Sequence, residues 1–346
     1  MLLHESCWGN TLLVMEVRDG AEFCFPQMVN ISCRKPTLYW TKFMFLNILL
    51  SIISVITVVL NLLVIISISH FRQLHTPTNI LLLSLAVSDF LVGLLLLPLD
   101  IYRSTSCWFL GEIMCAFNFF LACQIPFVSV GNMILISVDR YMAICHPLHY
   151  PTRITAVRAK ICVFLCWLWY GLYSVFYIRD QITDLNQPFR KDSCLGECAY
   201  IVSYATGVVD LIFTLIFPVT VIVFLYMRVF MVAVIQAQTM RSHVTFVSVQ
   251  HPGKVRAKRS ELKAARTLGV LVFVYLLAFC PYYCYSLVDI NLTESVFAYF
   301  LIGFIYFNSC LNPMIYTLFY PWFRKAVKLI ITLQILKPNS CEINML

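Results

Sequence analysis

Seven long apolar stretches constrain the fold of this 346-residue chain more than any other feature. A transmembrane α-helix needs about 20 mostly apolar residues to cross a bilayer. Stretches of that kind occupy residues 43–69, 78–102, 113–144, 158–178, 200–234, 264–288 and 296–319. With 60% hydrophobic and 12% charged residues, the chain is far more apolar than an ordinary soluble domain. The sequence therefore predicts an all-α membrane protein, a bundle of seven transmembrane helices.

The bundle at 43–319 is flanked by two segments of different character. Residues 1–42 are predicted to form an extracellular N-terminal segment, and residues 320–346 a cytoplasmic helix and tail. The segment PWFRKAVKLIITLQIL is too short and too basic to span a membrane. It alternates cationic and apolar positions at helical spacing, which is typical of an amphipathic eighth helix that lies in the membrane interface.

The distribution of charge predicts the orientation. Cytoplasmic loops of membrane proteins carry an excess of Lys and Arg. With the N-terminus outside, 17 of the 25 basic residues are cytoplasmic and 12 of the 17 acidic residues are extracellular. The prediction is a multi-pass plasma-membrane protein whose acidic outer face favours cationic ligands. Sequons begin at Asn30 and Asn291 on that face, and Asn30 is the predicted glycosylation site.

Single polar residues and prolines recur once each on successive spans. The ordered set is Asn61, Asp89, Asp139-Arg140-Tyr141, Trp167, Pro218 with Tyr226, Pro281, and NPMIY at 312–316. In this set the chain resembles rhodopsin-like G-protein-coupled receptors over nearly its whole length. The segment NSCLNPMIYTLFYPWF at 308–323 is also similar to the fingerprint of trace amine-associated receptors. The resemblance implies a receptor that binds a ligand outside and a heterotrimeric G protein inside. Its eighth helix is expected to contact membrane lipid.

Other classes of protein fit the sequence less well. A transporter or channel predicts paired inverted repeats with broken helices, or a ring of like charges, and the sequence has neither. An enzyme predicts a catalytic motif such as HExxH or GxSxG, and none occurs. We therefore expect neither an enzyme nor a partner of nucleic acids, and no cofactor apart from a sodium ion.

One carboxylate, Asp210, lies in the middle of the fifth apolar stretch, where an ionisable group is costly and usually functional. Amine receptors of the resembled fold commonly have an aspartate seven residues after the disulfide cysteine of the third helix, and that position here is Ala122. The chain resembles a bony-fish olfactory branch with its acidic residue on the fifth helix, which implies that Asp210 binds a small protonated amine. The alternative is a receptor for a non-amine ligand, in which Asp210 is structural.

The remaining ligand residues are predicted from their places around Asp210. Thr206 and Thr214 lie four residues on either side of it, on the same helical face. Three tyrosines offer aromatic faces to a cation, and Phe279 lies below them where the family usually has Trp; the tyrosines are Tyr282, Tyr283 and Tyr306. Tyr275 stands where the family usually has Phe, and Pro126 adds an unexpected proline to the third helix.

A second carboxylate, Asp100, lies in the outer part of the second span. It either pairs with Arg103 or acts as a second acidic anchor for a diamine. Both alternatives remain open at the level of sequence.

Polar residues in the middle of three spans form a further predicted site. By resemblance, a sodium ion that favours the resting state is held by Asp89, Ser129, Asn308, Ser309 and Asn312. A hydrogen-bond network that links the three helices explains the same residues, and the two interpretations are compatible.

The cytoplasmic ends of the spans contain the predicted signalling switch. Asp139, Arg140 and Tyr141 end the third span, and a charge pair between Arg140 and Glu261 would hold the third and sixth helices together. An exposed ion pair is worth only about 0–1 kcal/mol, so such a pair biases an equilibrium. The resemblance implies that Tyr226 and Tyr316 support Arg140 in the active state.

Cysteines in the outer loops are expected to form disulfides, because that face is oxidising. The resemblance implies a bridge between Cys115 and Cys198. It also implies a second bridge from Cys194 to the N-terminal segment, where Cys24 and Cys33 are the candidates. Position in the motif favours Cys24–Cys194.

Overall fold

A chain of eight helices accounts for most of the computed structural model. The structure describes residues 23–28, 32–33, 40–183, 196–198, 204–243, 269–270, 272–286, 296–338 and 340–345. We number the helices in chain order: helix 1 (Trp40–His70), helix 2 (Pro77–Thr105), helix 3 (Gly111–Cys145), helix 4 (Ala156–Thr183), helix 5 (Tyr204–Leu211, Ile212–Ile216 and Phe217–His243), helix 6 (Val272–Ser286), helix 7 (Val296–Phe319) and helix 8 (Pro321–Ile331).

Each predicted span coincides with one of the first seven helices. Six of them are long and apolar enough to cross a bilayer by themselves, and helix 6 is a shorter apolar helix. The predicted span 264–288 extends beyond both ends of helix 6, into residues that the structure does not describe. The prediction of an all-α, seven-helix membrane bundle is confirmed.

Local sequence signals explain where helix 2 begins. Thr76 has an extended backbone, and its side chain accepts a 3.3 Å hydrogen bond from the backbone N–H of Asn79. Pro77 occupies the first helical position, where its missing N–H costs nothing. The helix therefore starts directly after the loop that follows helix 1.

Helix 3 is the central element of the bundle, since it contacts helices 2, 4 and 5. Helix 1 packs on the other side, against helices 2, 7 and 8. The core between the helices contains fully buried side chains such as Leu82, Leu85, Ile136 and Tyr275. Large apolar side chains on helices 1, 4 and 5 point outward instead, as expected for surfaces that face lipid.

Prolines distort two of the helices and leave a third intact. Helix 2 contains a π-helical turn at Val92–Leu96, just before Pro98, and helix 5 contains one at Ile212–Ile216, just before Pro218. Such single-turn insertions are frequent at functional sites. Helix 3 in contrast runs without interruption past Pro126.

Helix 8 follows helix 7 after one extended residue, Tyr320. Its Trp322 and Phe323 are buried against the bundle, whereas Ile331 at its end is 70% exposed. This division into a packed face and an exposed apolar end agrees with the amphipathic eighth helix that the sequence predicts.

Candidate ligand-binding site and signalling switch

Asp210 lies directly before the π-helical turn of helix 5. Its Oδ2 accepts a 3.0 Å hydrogen bond from the phenol of Tyr283 on helix 6. Its Oδ1 is buried and has no hydrogen-bond partner among the described residues. A buried polar atom without a partner costs free energy, so this carboxylate has room for one more donor.

Thr214, one helical turn after Asp210, joins the two residues of this contact into a cluster. Its Oγ1 donates to the backbone carbonyl of Asp210 at 2.6 Å, and it also lies within hydrogen-bonding distance of the hydroxyl of Tyr283. Thr214 and Tyr283 are both buried. Three of the predicted ligand residues therefore form one hydrogen-bonded cluster between helices 5 and 6.

Other predicted residues surround this cluster. The ring of Tyr282 lies 5.4 Å from that of Tyr283, and Tyr282 is within electrostatic range of Asp210. Phe279 packs against Tyr275, with 4.4 Å between the ring centroids, one turn further along the core. Thr206 lies one turn before Asp210 on helix 5.

Tyr306 is placed at a separate carboxylate. Its hydroxyl donates a hydrogen bond to Oδ2 of Asp100 on helix 2. The Nε of Arg103 lies 3.4 Å from Oδ1 of the same carboxylate, so both oxygens of Asp100 have partners. Of the two alternatives for Asp100, the geometry matches pairing with Arg103. Tyr282 lies within electrostatic range of Tyr306 as well, and so connects the two carboxylate clusters.

Sequence reasoning missed two further residues near Asp210. Tyr173 of helix 4 and Cys123 of helix 3 are both within electrostatic range of its carboxylate. The hydroxyl of Tyr173 is buried and accepts or donates no hydrogen bond within the described part of the chain. Cys123 is the neighbour of Ala122, which was the available signal, whereas nothing in the sequence of helix 4 singled out Tyr173.

The predicted sodium site is assembled around Asp89, which is fully buried. The side-chain amide of Asn312 donates to its Oδ2 at 2.7 Å, and the hydroxyl of Ser129 lies 3.5 Å from its Oδ1. The Oδ1 atoms of Asn308 and Asn312 are buried without hydrogen-bond partners among the residues described. Carboxylate, hydroxyl and amide oxygens suit a hard cation, and the unpartnered oxygens give it ligands that no donor occupies. Residues of this set also link helices 2, 3 and 7. The contacts are therefore compatible both with a sodium site and with a hydrogen-bond network that joins these helices.

Two disulfides join the loops at one end of the bundle. Cys115 at the start of helix 3 pairs with Cys198, as predicted. Cys24 pairs with Cys107, in the loop between helices 2 and 3, so the predicted Cys24–Cys194 bridge is wrong. Cys33 is also disulfide-bonded, and Cys194 lies outside the described residues.

The loop around Gly196 packs closely against the Cys24–Cys107 bridge. Residues 196–198 lie between the two bridges, and the backbone N–H of Trp108 donates to the carbonyl of Gly196 at 2.8 Å. A Cβ on Gly196 would come within 2.7 Å of the Cβ of Cys24, and the residue has φ +101°. Only glycine fits this position, because a side chain there would collide with Cys24, which is bonded to Cys107.

Comparison with known proteins gives consistent matches over almost the whole chain. The family model of the 7 transmembrane receptor (rhodopsin family) matches residues 60–316. Trace amine-associated receptor 13c of Danio rerio is 39% identical, over 94% of this chain and 97% of its own length. Trace amine-associated receptor 6 of Pan troglodytes is 37% identical over 94% and 96%, and receptor 9 of Mus musculus is 37% identical over 94% of both.

The chain belongs to the trace amine-associated receptor family. It is therefore a rhodopsin-like G-protein-coupled receptor and not an enzyme, as the sequence predicted. Its helices make it a multi-pass protein of the plasma membrane. The predicted resemblance is confirmed at the level of the family.

The receptor has a closed polar cluster at the end of helix 3 that is opposite to the disulfides. Arg140 donates from Nε to Oδ2 of Asp139 at 3.0 Å, and its Nη2 also contacts Asp139 and Thr78. The hydroxyls of Thr78 and Tyr150 each donate to Asp139 at 2.8 Å. Burial raises the pKa of Tyr150, and the nearby Asp139 raises it further, so its phenol remains a donor. Arg140 is thus held within its own helix end.

The other predicted switch residues are placed less completely. Tyr226 of helix 5 has a buried hydroxyl without a partner among the described residues and lies within electrostatic range of Arg140. Tyr141 is 3.4 Å from the ring of His146, and Tyr316 lies on helix 7. Glu261 and the sequon residue Asn30 lie outside the described residues.

We expect Asp139→Asn to raise the ligand-independent activity of the receptor by on the order of tenfold, because hydrogen bonds to a charged group are worth about 1.5–3 kcal/mol. The amide keeps the size of the side chain but loses the charge that retains Arg140. Tyr150→Phe removes one of the bonds to Asp139 and should give a smaller rise in the same direction. G-protein activation without ligand is the measurement, normalised to the amount of receptor at the surface.

Thr152→Ala is the matched control, since Thr152 lies on the same helical turn as Tyr150 and, within the described residues, its hydroxyl bonds only to the carbonyl of His149. Basal activity of Asp139→Asn equal to that of the control would show that the cluster does not restrain the receptor.

Proposed function

We propose that this receptor is olfactory, binds a small protonated amine through Asp210 and activates a stimulatory-type G protein. The observation that carries the proposal is the state of the half-buried Asp210 carboxylate between helices 5 and 6: one oxygen accepts from Tyr283, and the other is buried without a donor among the described residues. Position 122 on helix 3 is Ala, so Asp210 has no competing carboxylate at the place where amine receptors commonly have one.

An ammonium group suits this place chemically. It supplies the charge and the donors that Oδ1 of Asp210 lacks, and charge-assisted hydrogen bonds are about twice as strong as neutral ones. The phenol oxygen of Tyr173 provides a second acceptor near the same carboxylate. Tyr282 and Tyr283 offer aromatic faces to the cation, for a gain of about 0.5–2 kcal/mol each.

The other proposed ligand residues have supporting roles. Thr214 fixes Asp210 and Tyr283 in place, Thr206 lines the same face of helix 5, and Phe279 forms the floor. Tyr306 closes the far side of the pocket, next to Asp100. With the counter-ion on helix 5, the amine end of the ligand lies against helices 5 and 6, and its tail points toward helices 2 and 7.

The proposal assigns the disulfide-bonded end of the bundle to the extracellular side, with the N-terminus and a glycan on Asn30. The disulfides support this assignment, because they form in oxidising compartments. The Arg140 end then faces the cytoplasm and the G protein, where Arg140, Tyr226, Glu261 and Tyr316 act as the switch. Sodium, held by Asp89, Ser129, Asn308, Ser309 and Asn312, would supply a charge that stabilises the resting arrangement.

A receptor for a non-amine ligand is the alternative function, and one observation favours it. Oδ2 of Asp210 already accepts a hydrogen bond within the bundle, which is what a structural carboxylate does. Cyclic AMP measured in transfected cells separates the two, with mono- and diamines applied to the wild-type receptor and to substitutions of Asp210. If the amine response survives Asp210→Ala at unchanged potency, Asp210 has only a structural role.

The pairing of Asp100 with Arg103 predicts that the pocket prefers ligands with one cationic group. Arg103 is a cation of the receptor itself that already neutralises Asp100, so this carboxylate is not free to bind a second ammonium. We expect Arg103→Ala to raise the potency of an α,ω-diamine about tenfold relative to a monoamine of the same length, which corresponds to about 1.4 kcal/mol. Arg103→Lys keeps the charge and is the control. Equal shifts for both classes of ligand would refute the role of Arg103.

A further inference from the structure

Tyr275 of helix 6 is a buried tyrosine that belongs neither to the ligand cluster nor to the cytoplasmic switch. Only 1% of it is exposed, and its hydroxyl donates a 2.6 Å hydrogen bond to the backbone carbonyl of Thr214 on helix 5. A buried phenol needs a hydrogen-bond partner, and this one reaches the main chain of a neighbouring helix. Tyr275 therefore connects helices 5 and 6 in the core of the bundle.

The carbonyl of Thr214 accepts this bond because helix 5 is interrupted at that point. In an α-helix each carbonyl accepts from the N–H four residues later, and for Thr214 that residue is Pro218, which has no N–H. The preceding turn is π-helical, with the N–H of Phe217 bonded to the carbonyl of Ile212 five residues back. The proline thus removes the α-helical donor of Thr214, and the hydroxyl of Tyr275 replaces it.

Side chains of neighbouring helices also donate to main-chain carbonyls near two other prolines of the bundle. Pro313 removes the α-helical donor of Ser309 on helix 7, and the side chain of Asn61 on helix 1 donates to that carbonyl at 3.1 Å. In the π-helical turn before Pro98 of helix 2, the hydroxyl of Ser54 donates to the carbonyl of Gly93 at 2.6 Å. Helices 2, 5 and 7 are therefore each hydrogen-bonded to a neighbouring helix close to a proline.

The Tyr275–Thr214 hydrogen bond between helices 5 and 6 differs from the other two because it adjoins the hydrogen-bonded cluster around Asp210. Thr214 contacts both the carbonyl of Asp210 and the hydroxyl of Tyr283, and Tyr283 bonds to the carboxylate of Asp210. Hydrogen bonds therefore connect Asp210 through Tyr283 to the side chain of Thr214, and the main-chain carbonyl of the same threonine accepts the bond from Tyr275. At the other end of the bundle Arg140 is bonded to Asp139. The Tyr275–Thr214 hydrogen bond is therefore present in the same structure in which Arg140 is held by the polar cluster at the end of helix 3.

We infer that the Tyr275–Thr214 hydrogen bond holds helix 6 against helix 5 in the resting receptor, and that occupancy at Asp210 acts on helix 6 through it. Tyr275 is a positioning residue, since its hydroxyl bonds to the main chain of Thr214 and its ring packs on Phe279, so that it acts on Asp210 through other residues. The restraint on helix 6 requires only that the protein is a G-protein-coupled receptor. Its link to an amine rests on the function proposed above.

The direct test is Tyr275→Phe, which deletes one hydroxyl and keeps the ring that packs on Phe279. Ligand-independent activity is measured with a panel of G-protein dissociation sensors, at matched surface amounts of receptor. We expect a rise of about threefold to tenfold, as the loss of a buried hydrogen bond implies. Tyr299→Phe is the control, because that hydroxyl also bonds between helices, to Asn47 at 2.8 Å, but away from helices 5 and 6.

Pro218→Ala provides a second, independent variant. It restores a backbone N–H four residues after Thr214, which competes with Tyr275 for the carbonyl, so basal activity should rise by itself. In that background Tyr275→Phe should add less than about twofold, because the bond that it deletes has already been replaced. Additive effects of the two substitutions would overturn the inference. Unchanged or lower basal activity in both variants, at equal surface amounts, would overturn it too.

These outcomes are distinguishable from failure of the proposed function. If no amine activates the wild-type receptor but Tyr275→Phe raises basal activity, the amine proposal fails and the restraint by Tyr275 stands. If an amine activates the wild-type receptor and Tyr275→Phe behaves as the Tyr299→Phe control, the restraint fails and the amine proposal stands.

Discussion

Replacing Asp210 with alanine is expected to lower the potency of an amine agonist by about 100-fold or more. Removing one partner of a buried charge pair costs about 3–5 kcal/mol, and every 1.4 kcal/mol is a factor of ten in affinity. Tyr283 also loses its acceptor in this variant, which loosens the cluster that positions the ammonium. The measurement is the concentration of amine that gives half-maximal cyclic AMP, at matched surface amounts of receptor.

Asp210→Asn separates the two roles of the carboxylate. The amide keeps an oxygen for the Tyr283 hydroxyl, so a structural Asp210 predicts potency near that of the wild type. A ligand-binding Asp210 predicts a loss close to that of Asp210→Ala, because the charge is gone. Asp210→Glu retains the charge on a longer side chain, and we expect a smaller loss with preference for shorter amines.

Val209→Ala is the matched control for this series. Val209 is the preceding residue of the same helix, and 38% of it is exposed on the outer surface of the bundle, so its truncation leaves the pocket intact. A neutral analogue of the agonist, with a hydroxyl in place of the ammonium, supplies the complementary test. If this analogue activates the wild-type receptor as well as the amine does, the Asp210 carboxylate does not recognise charge.

The fold of this receptor was predictable from hydropathy because lipid imposes one rule on every span. Backbone groups must be satisfied within the segment, and side chains that face lipid must be apolar. Helix 6, the shorter apolar helix, lies within the predicted span 264–288, parts of which the structure does not describe. The π-helical turns at Val92–Leu96 and Ile212–Ile216 were not predicted, although a proline follows each of them.

The candidate site was predictable where residues share one helix face, and less so where contacts cross helices. The spacing of Thr214 from Asp210 placed both in one cluster, because positions four apart are neighbours on a helix. Tyr306 was expected at the same cation and instead bonds to Asp100, since helix spacing does not determine which carboxylate a residue of another helix meets. Tyr173 and the bond from Tyr275 to Thr214 depend on the packing of helices 4, 5 and 6, which the sequence pattern does not encode.

Disulfide pairing also depends on contacts between distant parts of the chain, and for Cys24 the sequence prediction was wrong. Cys107 lies in a short loop next to the end of helix 2, and both disulfides close loops of the same length, with sequence separations of 83. Spacing in the chain therefore did not distinguish one partner from another. The pairing is a property of the folded loops, where residue 196 also lies close to Cys24.

Loss of either disulfide should be the second large effect in this receptor. Removing a native disulfide costs about 2–5 kcal/mol, so we expect Cys107→Ser to reduce ligand-responsive receptor at the surface by at least about fivefold. Cys115→Ser should reduce it more, because that bridge fixes the start of helix 3, which is the central helix of the bundle. Surface labelling of a tagged receptor, followed by the agonist response per surface receptor, measures both effects.

The pairing of Cys24 is decided by comparing single and double variants. If Cys24 and Cys107 form one bond, then Cys24→Ser, Cys107→Ser and the double variant should be equally impaired, because the second substitution has nothing left to break. Cys107→Ser should also expose one thiol, on Cys24, to a maleimide reagent. Cys162→Ser is the control, since Cys162 is exposed on helix 4 and unpaired. A wild-type phenotype for Cys107→Ser would contradict the bond between Cys24 and Cys107.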